Sequence, residues 1–260
     1  MDANAGWIDP DAMIEAQFEM ARRTHPGKLD VVPCVARSVT QMGDAAVFIE
    51  TDTGNTIVAD RCVVAAGAHT RGLTSDGLNG VLVSRRTVAL LEVSEATAKE
   101  LSSSMPTIKY SFQSTDGAIS SDGEQSRVES GSVYILPPVQ YHDLDGRWFV
   151  KIGGGPNDPF EDGVCEDEID AWLASDGDAE SAEWLAGVGR SFMAGIPFIG
   201  DGHRSKACVT TIGGRDIRIA SSPSSRITAV TLCLGKAAGP ADAIGREVAA
   251  AVVGGCAPHG

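Results

Sequence analysis

Apolar residues recur at helical spacing over Asp9–Ala21, where Met13, Ile14, Gln17, Phe18 and Ala21 share one mostly apolar face. Asp9 stands at the N-cap position and Pro10 in the first turn, so a helix is predicted there, ended by Pro26-Gly27. Leu29–Val32 reads as a short strand. Ala45–Glu50 alternates and is rich in Val, Phe and Ile. The turn residues Asp52–Asn55 and a return strand at Thr56–Ala59 complete a predicted β-hairpin. Arg61–Gly67 is a continuous apolar run closed by glycine, the pattern of a strand buried on both faces. Val81–Val93 predicts a long strand interrupted by Arg85-Arg86, a pair expected to neutralise acids rather than to bind substrate. Ser102–Ser130 is polar and predicts loops around one short strand. Ser132–Leu136 and Arg147–Ile152 are further strands, joined by Pro137-Pro138 and a turn at His142–Gly146. Helical patterns return at Asp167–Ala174, Ala179–Arg190 and Ala241–Val253, with strands at Cys208–Thr211, Ile217–Ala220 and Arg226–Leu234. The fold class is therefore mixed α/β.

Composition narrows the function classes. The 260 residues are 43% hydrophobic, enough for a sizeable core in one large or two interleaved domains. A net charge of -14 repels phosphate backbones and anionic lipid, so neither nucleic acid nor membrane is an expected partner. The longest apolar runs, Val63–Ala68 and Val248–Val253, are too short to span a bilayer, and the acidic start lacks a signal-peptide pattern. The six cysteines form no Cys-x-x-Cys pair, so no metal site is expected and a reducing cytoplasm is the default location.

Four stretches, in order, carry a resemblance. They are Gly6-Trp7-Ile8-Asp9-Pro10 with its helix; Ala59–His69, ending Ala66-Gly67-Ala68-His69; Tyr134–Pro138 followed by Trp148–Gly153; and Cys208-Val209-Thr210-Thr211 followed by Gly235–Gly239 and Ile244-Gly245. Their order and spacing resemble the C-terminal part of the FAD-dependent sarcosine oxidase and D-amino-acid oxidase superfamily. His69 stands where that family has tryptophan, and Thr210 where it has tyrosine. The family's opening strand, Gly-x-Gly-x-x-Gly turn and helix, which hold the FAD pyrophosphate, have no counterpart here: Gly187-Val188-Gly189 lacks the third glycine, and Gly153-Gly154-Gly155-Pro156 has the wrong spacing.

The resemblance implies FAD as cofactor and an amine or amino acid as substrate, oxidised at its C–N bond to an imine, with oxygen as acceptor. It places Lys151 over the flavin ring, where the family's lysine assists the reaction with oxygen. Cys208 matches the cysteine that bonds to the flavin in covalent members. Gly67, Ala68 and His69 form a strand-to-turn element against the cofactor, and Gly235 and Lys236 a loop near its pyrimidine edge. The family's carboxylate-binding lysine aligns with Gly239, three residues after Lys236. Read without the resemblance, Lys151 is an edge-strand lysine, Cys208 a buried structural cysteine and His69 an exposed turn residue.

The implied organisation is an incomplete FAD-binding domain from residues 1–83 and 209–260, interleaved with a substrate domain over 84–208. The latter is expected to be a largely antiparallel sheet with helices on one face. The second function class is a truncated, non-catalytic remnant or binding subunit of the same fold. On either reading, weak FAD capture and no amine turnover are expected of this chain alone, together with self-association or pairing with a missing N-terminal segment.

Overall fold

The computed structural model describes residues 7–43, 46–74, 78–113, 130–214, 217–221, 225–231 and 235–254. Gly6, much of the polar stretch at 114–129, the last residues of the predicted strand at 232–234, and Cys233 and Cys256 lie outside them.

The described elements follow in chain order. The first part runs α1 (Pro10–Thr24), β1 (Ala36–Met42), β2 (Ala46–Thr51), β3 (Thr56–Ala59), β4 (Cys62–Val64), α2 (Thr70–Leu73) and β5 (Leu82–Val93). Then come α3 (Glu95–Ser104), β6 (Ile108–Gln113), β7 (Ser130–Tyr141), β8 (Arg147–Gly154), β9 (Asp158–Pro159), α4 (Glu166–Leu173) and α5 (Ala179–Phe192). Last are β10 (Arg204–Ile212), β11 (Arg218–Ala220), β12 (Ile227–Thr231) and α6 (Ala241–Gly254). The fold is mixed α/β, as the sequence pattern predicts.

The chain divides into two compact units. The first comprises Ser84–Pro159 and Asp167–Val209 with the N-terminal Met1–Trp7; the second comprises Ile8–Val83, Phe160–Glu166 and Thr210–Gly260.

The first unit is built on the strand order β10-β5-β8-β7-β6, with β9 pairing β5. Every pair whose register is defined is antiparallel. Alternation along the strands sends Ala89, Leu91, Val93, Val133, Ile135, Val150 and Ile152 to one face. Helices α3 and α5 cover that face with Ala98, Leu185, Ala186 and Met193. Helix α5 comes close to β8 because Gly189 carries no Cβ: one there would lie 2.7 Å from Ile152 Cγ1. The prolines do not end β7, as the sequence reading had it. The strand continues through Pro137-Pro138 with a register shift between Leu136 and Val139, the irregularity at which a missing N–H is tolerated. Helix α3 has no strong apolar stripe and was not anticipated. Ser94 caps it by accepting from Thr97 N at 3.1 Å, and only Ala98 is buried.

In the second unit β1, β2 and β3 form an antiparallel meander, and β11-β12-β4 a second sheet in which β12 and β4 run parallel. Val39, Val47, Val64 and Ile227 make their shared core. Three sequence expectations are corrected here. Leu29–Val32 is not a strand: Val31 and Val32 are 52% and 58% exposed, and Pro33 withholds the next N–H. β2 pairs β3 as the predicted hairpin and, on its other edge, β1, whose polar composition (Ala36-Arg37-Ser38-Val39-Thr40-Gln41-Met42) concealed it. β4 is not buried on both faces: Val64 is buried, but Val63 is 43% exposed. Helix α1 forms with the predicted cap, Asp9 accepting from Asp11 N and Ala12 N, yet none of its residues is buried.

Among the described residues no helix is long and apolar enough to cross a membrane.

Candidate functional site

In the first unit, the sheet face opposite the helices carries the chemistry. Register places Leu90, Lys151 and Leu136 side by side across β5, β8 and β7, and Val88, Gly153 and Tyr134 in the next row. Lys151 therefore leaves the sheet on the face away from Val150 and Ile152, as alternation requires, and it is half-buried. Tyr134 lies under Gly153, where an added Cβ would collide with its ring and hydroxyl. Burial pushes its phenol up to about 12; the Cys208 thiol nearby pushes it up as well, and the Arg86 guanidinium pulls it down.

Cys208 comes from β10, and its thiol belongs to the same neighbourhood. Burial raises it, whereas the Lys151 ammonium and the Arg86 guanidinium pull it back. Cys208 is thus coupled electrostatically to three residues widely separated in sequence, Arg86, Tyr134 and Lys151. The strand holding Cys208 is pinned by Trp172, whose Nε1 donates to Cys208 O at 2.9 Å.

Of the two arginines of β5, expected to neutralise acids, Arg85 does so and Arg86 instead binds carbonyl oxygens. Arg85 Nε pairs with Asp158 Oδ2 at 2.9 Å. Arg86 donates to Gly155 O at 3.1 Å, to Asn157 Oδ1 at 3.2 Å and to Pro156 O, tying down the turn that follows the lysine strand.

The second unit gathers the remaining candidates at the carboxyl ends of its parallel strands. Gly67, with φ +58°, turns the chain after β4; Gly67–His69 is a single 3₁₀ turn closed by His69 N donating to Ala66 O at 3.1 Å, and it lies against β12. Gly235, with φ +68°, follows β12 and precedes α6. Only glycine takes such φ values at no steric cost. Thr210 sits beside it: a Cβ on Gly235 would lie 3.7 Å from Thr210 Oγ1. That hydroxyl is buried without a hydrogen-bond partner among the described residues, as is the hydroxyl of Thr70 next to His69. Lys236 is exposed and His69 half-buried. The carboxyl ends of parallel strands are where ligands dock in open α/β sheets.

The residues singled out from sequence thus fall into two groups. Lys151 and Cys208 come together in the first unit; Gly67, Ala68, His69, Gly235 and Lys236 collect around two adjacent strand ends in the second. Sequence reasoning missed Tyr134 and Trp172 as members of the first group and Thr210 as an orphaned hydroxyl in the second. The signal for Tyr134 was its place at the head of the Tyr134–Pro138 stretch that carries part of the resemblance.

No family model matches the chain, and no curated protein matches it. Solved structures do. NikD, described as an unusual amino acid oxidase essential for nikkomycin biosynthesis, matches with a TM-score of 0.59 at 16% identity over 97% of this chain and 58% of that one. Fructosyl peptide oxidase from E. terrenum matches with a TM-score of 0.56 at 15% identity over 86% of this chain and 49% of that one. Amadoriase II, the deglycating fructosamine oxidase of Aspergillus fumigatus, matches with a TM-score of 0.54 at 16% identity over 85% and 48%. The chain shares their mixed α/β fold and spans about half their length.

Proposed function

We propose that this protein is a flavoprotein oxidoreductase that binds FAD and oxidises the C–N bond of an amine or amino acid to an imine, with oxygen as the acceptor. The observation that carries the reading is that Lys151 and Tyr134 share one sheet face, with the Arg86 guanidinium and the Cys208 thiol close by, in a fold shared with oxidases of amino acids and fructosyl amines.

The residues fit FAD. Gly67 and Gly235 leave open backbone at adjacent strand ends, and Thr210 offers an unmatched hydroxyl beside one of them. We assign Gly67, Ala68, His69, Gly235 and Lys236 to holding the cofactor. When bound, FAD supplies the hydride-accepting ring that protein side chains lack. Lys151 contributes a fixed positive charge where negative charge develops on the acceptor oxygen, at a half-buried position where the charge is weakly screened. Cys208 is the residue that the resemblance matches to the flavin-bonding cysteine. Its two neighbouring cations favour the thiolate that attachment requires, and burial opposes it. Acid precipitation reads the outcome, since a thioether leaves yellow colour in the pellet. Tyr134 stays protonated at neutral pH and presents an O–H donor.

The test is an FAD titration followed by flavin fluorescence, then incubation of the loaded protein with N-methyl and free amino acids. We expect weak but saturable binding, because the sequence holds no Gly-x-Gly-x-x-Gly turn for the pyrophosphate. Gly67→Val should weaken it about tenfold or more by closing the strand end. Lys151→Met should slow oxygen consumption more than dye-linked amine oxidation. FAD that does not bind, or bound FAD with no amine oxidised by oxygen or dye, overturns the reading.

A further inference from the structure

We propose that a cavity of the first unit, between α4, α5 and the turn after β8, is the pocket for an aromatic group carried by the substrate; this rests on the oxidoreductase reading above.

The cavity measures about 310 Å³, within the roughly 300–1,000 Å³ of small-molecule sites. The indoles of Trp172 and Trp184 form two of its walls, with Leu185 and Pro156 completing the apolar lining. Trp184 packs against the turn at Gly155, where a Cβ would lie 3.5 Å from its Cζ3, an ordinary van der Waals contact. Trp184 is 42% exposed, so its side of the cavity meets solvent.

The cavity borders the reactive face at two points. Arg86 lines it, and the same guanidinium acts on the Cys208 thiol. Trp172, one of its walls, donates to the Cys208 carbonyl at 2.9 Å. A ligand resting on Trp172 is therefore one residue from the strand that bears Cys208.

The polar groups around the cavity select the ligand class by how they are engaged. Arg85 is paired with Asp158, and Arg86 donates to Gly155 O, Pro156 O and Asn157 Oδ1. The Asp178 carboxylate caps α5 by accepting from Ser181 N at 2.7 Å. Thr87 Oγ1 accepts from Asp178 N at 2.9 Å. The two arginines and two aspartates also cancel in formal charge. A polyol or a second ion would have to compete for groups already spent on the scaffold. A flat apolar ring needs none of them and gains contact with the two tryptophans that line the cavity.

Saturation-transfer NMR on the full chain without FAD, with 2-phenylethylamine as probe, tests this. Ring signals should appear, and should fall about tenfold or vanish in Trp184→Ala, which removes a wall at the surface. Ser181→Phe, filling the void from α5 without touching the cap backbone, should do the same with circular dichroism unchanged. Isobutylamine and D-fructose should give no signal. Phenylethylamine binding that survives both variants, or equal binding of isobutylamine or fructose, overturns the pocket. If the FAD-loaded protein oxidises amines but Trp184→Ala leaves the KM ratio of aromatic to aliphatic amines unchanged, the pocket fails and the oxidoreductase reading stands. If both variants lose the aromatic probe yet no amine is oxidised, the pocket is supported as an aromatic site and the oxidoreductase reading fails.

Discussion

Tyr134 shows how one residue's surroundings set a measurable quantity. Its phenol ionises near 10 in the unfolded chain and is pushed up to about 12 in the fold, chiefly by burial. A raised folded value means that stability is fully present below pH 10 and is lost as pH rises toward 12. Two units correspond to about 3 kcal/mol at most. Alkaline difference spectroscopy should show two of the three tyrosines, Tyr134 and Tyr141, ionising only near pH 12. Tyr134→Phe should remove one of these late transitions. Lys151 permits a second residue-level test. Its ammonium pulls the Cys208 thiol down against burial, so Lys151→Met should raise that thiol further. Alkylation at Cys208, followed by peptide mass, should slow about three- to tenfold at a fixed pH below the thiol's ionisation. An unchanged rate would mean that the two side chains do not share a neighbourhood. Lys151 and Cys208 were legible because strand alternation and motif order are local properties. Tyr134, Arg86 and Trp172 were not, because their proximity to Cys208 depends on how strands and a helix up to more than a hundred residues apart come together, which no local pattern encodes.

Helix α5 and the sheet beneath it show what an element needs beyond its own periodicity. The pattern Ala182, Leu185, Ala186 and Gly189 puts small residues on the buried face, and Gly189 lets the helix settle onto Ile152 and Leu91. Gly189→Val should therefore destabilise the protein by about 1–3 kcal/mol through overpacking, read as a lower midpoint in urea. A gain in stability from better helix propensity would refute the close approach. Elements with strong periodicity were readable from sequence in the same way: α1, β5, β8, α5 and α6 all form where the pattern puts them. Those that failed have specific causes. β1 buries only Val39, so its alternation is faint. α3 buries only Ala98 and is fixed by its cap rather than by an apolar stripe. Leu29–Val32 has strand-like composition but stops at Pro33. β7 runs through two prolines because a bulge accommodates their missing donors.

At the scale of the whole molecule, two opposing surface properties decide how copies of the chain behave toward one another. The net charge of -14 makes them repel. The second unit nevertheless exposes large apolar side chains on several elements: Ile14 at 45%, Phe18 at 40% and Met20 at 63% on α1, Val63 at 43% on β4 and Val58 at 60% on β3. α1 is the clearest case, because its sequence has an apolar stripe and its capped helix forms, yet nothing in it is buried. Exposed apolar surface favours association where it is contiguous. Salt separates the two effects. Screening shortens the reach of like charges to about 8 Å at 0.15 M and leaves apolar contact undiminished. Sedimentation velocity on this chain should therefore show association that grows with ionic strength. Phe18→Lys with Val63→Thr should reduce it without changing the far-ultraviolet spectrum, since both side chains lie at the surface. Association that weakens with salt would point to charge pairing between copies, and a monomer at every salt concentration would show that these apolar side chains are tolerated singly.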